Sequence, residues 1–444
     1  MKRRFLASAA RSGLTTILLA YAAIAHCGED AFAKWAAAHA HAVTTVDAAI
    51  NDSDLLPVQS AIGAARVVAL GEPMHNTHEP LAFRNRLFRY LVERMGFTAI
   101  ALESGFTESL NARSMIEDVE GDAETAARTA LPGGLTRYLE NRQLIQWMRA
   151  YNATSASAGR RKIRLYGIDL TDGARPSGAR LAIDAALTFL SRADPTTAQE
   201  IRDSTSSLPG TEQRAFGPLS PTAQAEFEAS INAIANAMQR GRKTLIARTS
   251  EDEYRWAQHN LDTARQLAKC LALTPESKDM NLWAVTMECR DYGMSENVQW
   301  ALKNEGRQGR LLVFAHDSHV MNSKEDGRRW AKVREKPSMM GLFLRRVHGN
   351  DLYIIAMMAT ATTGELRPAK PLEDDSIESQ LAAVGLPLFF LDLRMARQNK
   401  EVLAWLSAPR SMGAHLDTQG LITPSTAADA FFFIDTLTPA TRIN

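Results

Sequence analysis

Residues 66–79 have the sequence RVVALGEPMHNTHE. A short apolar, β-branched run ends at Gly71, a polar loop follows, and an amphipathic helical pattern begins near Glu79. This order predicts a strand, a loop and a helix, with the loop at the carboxyl end of the strand, where open α/β sheets bind ligands. The loop carries His75 and His78 together with Glu72, so we expect it to be reactive.

Strand and helix patterns alternate along much of the chain. A helix is expected over residues 79–95, with Leu87, Leu91 and Met95 on one face and Gly96 ending it. Such alternation predicts an α/β fold with a central, mostly parallel sheet flanked by helices. Further apolar runs predict strands at residues 97–102, 163–168, 310–315, 352–357 and 388–391, and near 431–434.

Two segments lack this alternation of strand and helix patterns: the middle of the chain and the start of the mature chain. Residues 179–304 show helical periodicity, interrupted by several prolines, and almost no strand pattern. We expect this segment to be an all-helical insertion that lies over the carboxyl edge of the sheet as a lid. Residues 34–178 and 305–444 would then form the α/β catalytic core. A helix is also expected over residues 35–50.

The first 33 residues are typical of a secretory signal peptide. The basic residues 2–4 precede an apolar core at 14–25, and small-x-small sites follow at 23–25 and 31–33. The apolar run is short for a bilayer span, although an uncleaved anchor is the alternative. We therefore expect a periplasmic or secreted protein that leaves the membrane after cleavage.

Charge and cysteine content exclude some classes of function. The formal net charge of +1 does not favour a nucleic-acid or anionic-membrane partner. Cleavage after Ala33 would leave Cys270 and Cys289 as the only two cysteines, which an oxidising compartment could join. Two inert buried thiols are the alternative. Without a CxxC motif, neither a zinc ribbon nor a redox motif is indicated.

Ionisable side chains follow four of the predicted strands. Glu72 and His75 follow the first strand, Glu103 the second and Asp169 the third. His316 and His319 follow the strand at 310–315. Because parallel strands place their carboxyl ends at one edge of the sheet, these groups should meet in one site.

Local motifs narrow the chemistry of such a site. The chain lacks the GxSxG of a serine-hydrolase elbow, the HExxH of zinc proteases, a Walker A sequence and a GxGxxG after a strand. The remaining possibilities are a histidine and carboxylates that activate water, or histidines and carboxylates that hold a metal.

The sequence around these groups resembles the erythromycin esterase family. The signature loop, Gly71 to His75 with residues 77–79, is similar in kind and order to that family's loop. The likeness covers roughly residues 60–360 and continues through the segments GF at 96–97, ALES at 101–104, WMRAYN at 147–152, YGID at 166–169, RDYGM at 290–294 with Asn297, and AHDSH at 315–319.

This resemblance implies a hydrolase that cleaves an ester or lactone without a covalent enzyme intermediate or a cofactor. The substrate would be a small molecule, a macrolide in the family, which implies antibiotic resistance. His75 would be the general base that activates water, and a carboxylate beside it would stabilise the imidazolium. The other implied catalytic residues are Glu72, Glu103, His316 and Arg290. We also expect four further residues to bind the substrate: His78, Asp169, His319 and Asn297.

Two departures from the family leave alternatives open. Asn76 stands where the family usually has glycine, and Asp317 where it usually has asparagine. One alternative is a periplasmic binding protein that keeps the cleft without catalysis. A separate alternative, which rests only on the convergence of these side chains, is a metal-dependent hydrolase at the same cleft, with ligands drawn from His75, His78, His316, His319 and the acids Glu72 or Glu103.

Overall fold

The centre of the molecule is an eight-stranded, mostly parallel sheet. The computed structural model describes residues 31–48, 51–132, 134–170, 177–205, 220–366, 372–413 and 420–443. Within this part of the chain the strand order is β1-β7-β10-β6-β2-β5-β3-β4. The sheet strands are β1 (His41–Ala42), β2 (Val67–Glu72), β3 (Ala99–Gly105), β4 (Arg164–Asp169), β5 (Leu311–His316), β6 (Leu352–Thr362), β7 (Leu388–Asp392) and β10 (Ala430–Leu437). A separate antiparallel pair joins β8 (Arg410–Met412) to β9 (Gly420–Ile422).

Six neighbouring strands, from β10 through β6, β2, β5 and β3 to β4, run parallel to one another. Only β7 and the short β1 add antiparallel pairings at the other edge. The predicted α/β fold with a mostly parallel sheet is confirmed. The strands are apolar runs because both faces of the sheet are covered by helices.

Helices cover both faces of the sheet, and several of them form the long connection between β4 and β5. They are α1 (31–39), α2 (Leu56–Ile62), α3 (His78–Met95), α4 (Ala123–Thr129), α5 (Leu139–Ser155), α6 (Ser177–Ser191), α7 (Pro195–Ser204), α8 (Pro221–Arg240), α9 (Arg242–Arg248), α10 (Glu251–Ala272), α11 (Met280–Asn304), α12 (Asp317–Val320), α13 (Met340–His348), α14 (Ile377–Ala382), α15 (Lys400–Leu406) and α16 (Pro424–Ala427). None of these helices is both long and apolar enough to span a membrane, as far as the described residues show.

Alternating strand residues separate two cores. On one face, Leu70 and Leu102 pack with α2, α3 and α5. On the other face, Ala69 and Ala101 pack with α1, α11, α13, α14 and α15. The period of two along each strand places successive side chains in opposite cores, so the sheet is the middle of three layers.

Helices α6 to α11 occupy the connection between β4 and β5, and they bury a third core of their own. The insertion contacts the sheet at its β4 edge, where Asn297 Nδ2 donates to the carbonyl of Ile168 at 2.8 Å. A disulfide between Cys270 of α10 and Cys289 of α11 is present, so the two cysteines are bonded rather than free.

The predicted helix over residues 35–50 is wrong for residues 40–48, and residues 49–50 lie outside the described part of the chain. The chain leaves α1 after His39 and forms β1, whose His41 pairs with Phe390 of β7. Val43 then donates its backbone N–H to the carbonyl of Leu388 at 3.0 Å. Backbone pairing at the open edge of the sheet thus outweighs the helical propensity of the alanine-rich sequence.

Candidate active site

The ends of four adjacent strands, β2, β5, β3 and β4, carry the predicted ionisable groups. Glu72 is opposite His316 in the register of β2 and β5. Glu103 lies where the pairing of β3 with β4 shifts register between Leu102 and Gly105. Such an irregularity changes the direction of side chains at a strand end. Asp169 is the last residue of β4, so the predicted convergence at one sheet edge is present in the structure.

His75 and Glu72 form a direct pair at this edge. The two side chains lie 2.6 Å apart, from Nδ1 of His75 to Oε1 of Glu72. Burial opposes the charged imidazole, but Glu72 outweighs it and raises the pKa of His75 to about 9. Because Nδ1–H donates to Glu72, the neutral ring presents Nε2 as its proton acceptor. About half of the His75 side chain is exposed, so water can reach it.

Arg290 of α11 joins two of the strand ends. Its Nε and Nη2 contact both carboxylate oxygens of Asp169, with Nη2 to Oδ2 at 2.6 Å. Nη2 also donates to Oε1 of Glu103 at 3.0 Å. This fork geometry is specific to the planar guanidinium. Arg290 therefore fixes Glu103 and Asp169 relative to each other.

Glu103 is held on both carboxylate oxygens. Its Oε2 accepts the backbone N–H of His316 at 2.9 Å, and its Oε1 lies 3.2 Å from Nε2 of His319. Burial alone would raise its pKa, but His319, His75 and Arg290 hold the pKa of Glu103 well below its usual range. Glu103 is thus an ionised, immobilised carboxylate.

His319 is buried between two carboxylates. Its Nδ1 lies 2.7 Å from Oδ1 of Asp291, and burial is outweighed by Asp291 and Glu103, which raise the pKa of His319 to about 10. Nδ1–H donates to Asp291, and Nε2 lies 3.2 Å from Oε1 of Glu103. Nη1 of Arg290, which can only donate, lies 3.0 Å from the same Nε2, and its positive charge opposes the rise in the pKa of His319.

His316 is neutral, in contrast to its neighbours. Burial and the charge of His75 lower its pKa to about 3. Its Nδ1 accepts the backbone N–H of Ser318 at 3.3 Å, and its other bond is with the backbone of Pro73, which offers only a carbonyl. Both ring nitrogens are therefore engaged within the protein. The ring centroid lies 5.0 Å from that of His75, so His316 is part of the cluster.

His78 lies outside the cluster. Its Nδ1 is 2.7 Å from Oε1 of Glu140 on α5, and this hydrogen bond raises the pKa of His78 against the effect of burial. The same carboxylate oxygen accepts the backbone N–H of Thr441 at 3.1 Å. His78 thus ties the start of α3 to α5 and to the C-terminal segment.

Asn297 is also apart from the cleft. It is almost fully buried, and its Oδ1 accepts from His259 Nε2 at 2.9 Å while its Nδ2 binds the backbone of β4. Both ends of the amide are used inside the protein. Asn297 therefore supports the packing of α11 on β4 rather than facing a ligand in this structure.

A cavity of about 250 Å³ opens at the cluster. Glu72, His75, Glu103, Asp169 and Arg290 line it, so most of the predicted site faces one space. The rest of the wall comes from residues that were not predicted: Asn76, Leu81, Arg84, Leu102, Leu135, Asn141 and Phe314.

Two charged residues of this centre were missed by the sequence analysis. Arg84 of α3 is buried, and its Nη2 donates to Oδ1 of Asn141 at 2.8 Å. Asp291, which holds His319, directly follows Arg290 on α11. The local sequence gives one sign that Arg84 is buried. It lies four residues before the apolar residue Phe88, on the same side of an otherwise amphipathic helix.

Histidines and acids of this kind could also hold a metal ion. Within the described ranges of the chain, no three histidine, cysteine or acidic side chains are arranged to hold a metal ion. The ligand set of the metal-dependent alternative is divided, because His78 is paired with Glu140. The nitrogens and oxygens of the cluster bind each other instead.

Together, a parallel sheet, a helical insertion and a histidine–carboxylate cleft define an α/β protein with a hydrolase-like site. The family model "Erythromycin esterase" matches residues 92–437, and the chain belongs to the erythromycin esterase family. The match begins after the His75 loop, so it does not include Glu72 or His75. The position of these two residues in the site is known from the structure alone.

Individual relatives agree at the level of fold. The chain is 24% identical over 299 residues to erythromycin esterase type II of Escherichia coli, a match that covers 62% of this chain and 65% of that enzyme. A Bacillus cereus protein of known structure aligns with a TM-score of 0.78 at 21% identity, covering 94% of this chain and 99% of that one. A mutant of the erythromycin esterase EreC, in its open conformation, aligns with a TM-score of 0.63 at 17% identity, covering 89% of this chain and 97% of that one.

Proposed function

We propose that this protein hydrolyses a carboxylic ester or lactone, with His75 as the general base that activates water. The observation that carries this proposal is the pair between His75 Nδ1 and Glu72 Oε1 at the wall of the cavity. It leaves Nε2 of the neutral ring as the proton acceptor for water and stabilises the imidazolium that forms in the transition state. General-base catalysis of this kind contributes on the order of 10²–10⁴-fold to the rate.

Charge develops on the carbonyl oxygen when water attacks an ester. Arg290 and Arg84 both line the cavity and are cationic donors for that oxygen. The cation of Arg290 is already fixed by Asp169 and Glu103, so little reorganisation is needed when the oxyanion forms. His316 contributes through its position beside His75, since its own ring nitrogens are bonded within the protein.

Substrate size bears on the choice of ester. The cavity volume of about 250 Å³ is below the usual range of roughly 300–1,000 Å³ for small-molecule sites. We propose a macrolactone as the substrate, by analogy with the family, and the insertion of α6 to α11 as a lid that moves to admit it. A compact ester that enters the cavity unchanged is the competing substrate class.

The decisive experiment measures hydrolysis of a macrolide series and of small esters and lactones in ¹⁸O-labelled water. One ¹⁸O in the acid product, together with at least about a 100-fold loss in kcat/KM for His75→Ala, is the expected result. His41→Ala, at an exposed histidine of β1, is the matched control and should keep the parent rate. If His75→Ala retains more than about a third of the rate with its fold intact, His75 is not the base.

The binding-protein and metal alternatives give different results in the same assays. A binding protein would turn over no ester in either the parent or His75→Ala, while ligand affinity would be unaffected by the substitution. A metal-dependent hydrolase would lose activity with chelator and recover it when metal is added back. We expect turnover that is insensitive to chelator.

We further propose export to the periplasm or the medium, with cleavage after Ala25 rather than Ala33. Residues 1–30 lie outside the described part of the chain. Phe32, however, is fully buried and stacks on Trp405 with ring centroids 3.9 Å apart, a contact that cleavage after Ala33 would remove. Mass spectrometry of the mature N-terminus in the exported fraction tests this, and a start at residue 34 would contradict it.

A further inference from the structure

The side chain of Asp317 lies across strand β2. Its Oδ1 accepts the backbone N–H of Met357 on β6 at 3.1 Å, although β2 lies between β6 and β5. Ladder pairing of β2 with β6 ends at Leu70, so the side chain supplies the acceptor beyond that point. Gly71 lies directly under the carboxyl group, because a Cβ there would be 1.8 Å from Oδ1. Asp317 therefore joins β5 to β6 over the residue that precedes Glu72.

A second buried acid shares the surroundings of Asp317. Both Asp317 and Glu378 of α14 line a small space of about 10 Å³, together with Pro73 and Met358. Glu378 Oε1 accepts the backbone N–H of Gly413 at 2.7 Å, whereas its Oε2 is buried and has no hydrogen-bond partner among the described residues. This space is about the size of one water molecule.

Among the described residues, those that line this space include no lysine, arginine or histidine. The charged groups that face Asp317 are acids, Glu72 from β2 and Glu378 from α14. Burial raises the pKa of Asp317 well above its usual range, and these two acids raise it further, against the bond from Met357. Burial also raises the pKa of Glu378 to about 7. Two buried carboxyl groups without a cation are stable only when protons replace the missing positive charge.

We propose that Asp317 is a positioning residue that holds the Gly71–Glu72 segment in its protonated, amide-like form, with Glu378 as the second member of a buried acid pair. A neutral carboxyl group keeps one acceptor for Met357 and places no negative charge beside Glu72. An ionised Asp317 would repel the Glu72 carboxylate and disturb its bond to His75. The catalytic consequence rests on the proposed function, whereas the protonation itself does not.

Thermal unfolding from pH 5 to pH 9 tests the protonation directly. An aspartate in the unfolded chain ionises above pH ~4, while the folded protein retains the proton, so the parent loses stability as the pH rises through this interval. Asp317→Asn has no proton to lose. Its Tm relative to that of the parent should therefore increase with pH. The exposed Asp374→Asn is the control and should show a constant difference.

A Tm difference between Asp317→Asn and the parent that is independent of pH would overturn the proposal. Glu378→Gln provides a second test of the pair. Because this substitution removes the other acid, the Tm of the variant should fall less between pH 5 and pH 9 than the Tm of the parent. These measurements need no substrate, so they remain decisive for Asp317 even if the chain hydrolyses no ester.

Kinetics test the positioning role. Asp317→Asn should keep kcat/KM within about threefold of the parent at pH 7, since the amide reproduces the neutral acceptor. Leucine has a similar size but no hydrogen-bond acceptor, so in Asp317→Leu the Glu72 carboxylate should lose its position beside His75. We expect kcat/KM to fall at least about tenfold and the acidic limb of its pH profile to shift. A loss of more than about tenfold in a folded Asp317→Asn would show that the ionised carboxylate is the working form.

Discussion

Nδ1 of His75, in the loop that follows β2, lies 2.6 Å from Oε1 of Glu72, the last residue of that strand. This one contact fixes the tautomer of the imidazole and raises its pKa to about 9. At pH 7 only about one His75 in a hundred is then in the neutral form that can accept a proton. The pair therefore lowers the fraction of His75 that is neutral and makes that neutral fraction a stronger base.

The first prediction is a pH dependence with its sign fixed by His75. Protonation below the pKa removes the base, so kcat/KM should rise about tenfold per pH unit from pH 6 and level off near pH 9. Glu72→Gln removes the charge that raises the pKa of His75. Its profile should level off at a lower pH, with a maximum at least about tenfold below that of the parent. A flat profile from pH 6 to pH 9 in the parent would contradict this assignment.

The second prediction concerns the fork of Arg290. Arg290→Lys retains the charge but cannot contact Asp169 and Glu103 through the same planar set of donors, so kcat/KM should fall about 10–100-fold. Asp169→Asn removes the carboxylate that orients the guanidinium. The two side chains form one network. The loss in kcat/KM of the double variant, Arg290→Lys with Asp169→Asn, should therefore differ clearly from the sum of the losses in the two single variants, expressed as free energies. Additive losses in a double-mutant cycle would show that the two residues act separately.

The third prediction concerns the residue after His75. Asn76 has a φ of 60°, in the left-handed region that glycine and asparagine adopt most readily. This conformation explains why asparagine can stand where the family usually has glycine. Asn76→Gly should keep kcat/KM within about threefold, whereas Asn76→Val should lower both Tm and kcat/KM by straining the His75 loop. Equal kinetics in the two variants would show that the backbone conformation at residue 76 is not required.

Sequence alone predicted the strands and the edge at which they meet, because buried parallel strands read as continuous apolar runs. It also identified the groups that end these strands: Glu72, Glu103, Asp169 and His316. The position of a residue at a strand end is set by the local pattern, so no long-range information was needed. The convergence of these groups then followed from the geometry of a parallel sheet.

Residues on helices were harder to place. Arg84 sits in a helix whose periodicity predicts an exposed charge, yet it is buried against Asn141 because α3 and α5 meet there. His78 and Asn297 were expected to contact substrate, and both instead bond to neighbouring elements. Which face of a helix meets the cleft depends on how the helices pack, and that is a tertiary property.

The last prediction concerns the disulfide of the insertion. Cys270 and Cys289 join α10 to α11 across a sequence separation of 19 residues, and Cys289 directly precedes Arg290. A loop of this length predicts a stabilisation of about 3 kcal/mol from the restricted unfolded chain. The variant with both Cys270→Ala and Cys289→Ala should lose about that much free energy of unfolding, and reductant should lower the Tm of the parent but not that of the variant. Since Asp169 and Glu103 hold Arg290 independently, kcat/KM should fall by less than about tenfold. A larger kinetic loss at unchanged Tm would mean that the disulfide acts on the position of Arg290 rather than on the stability of the insertion.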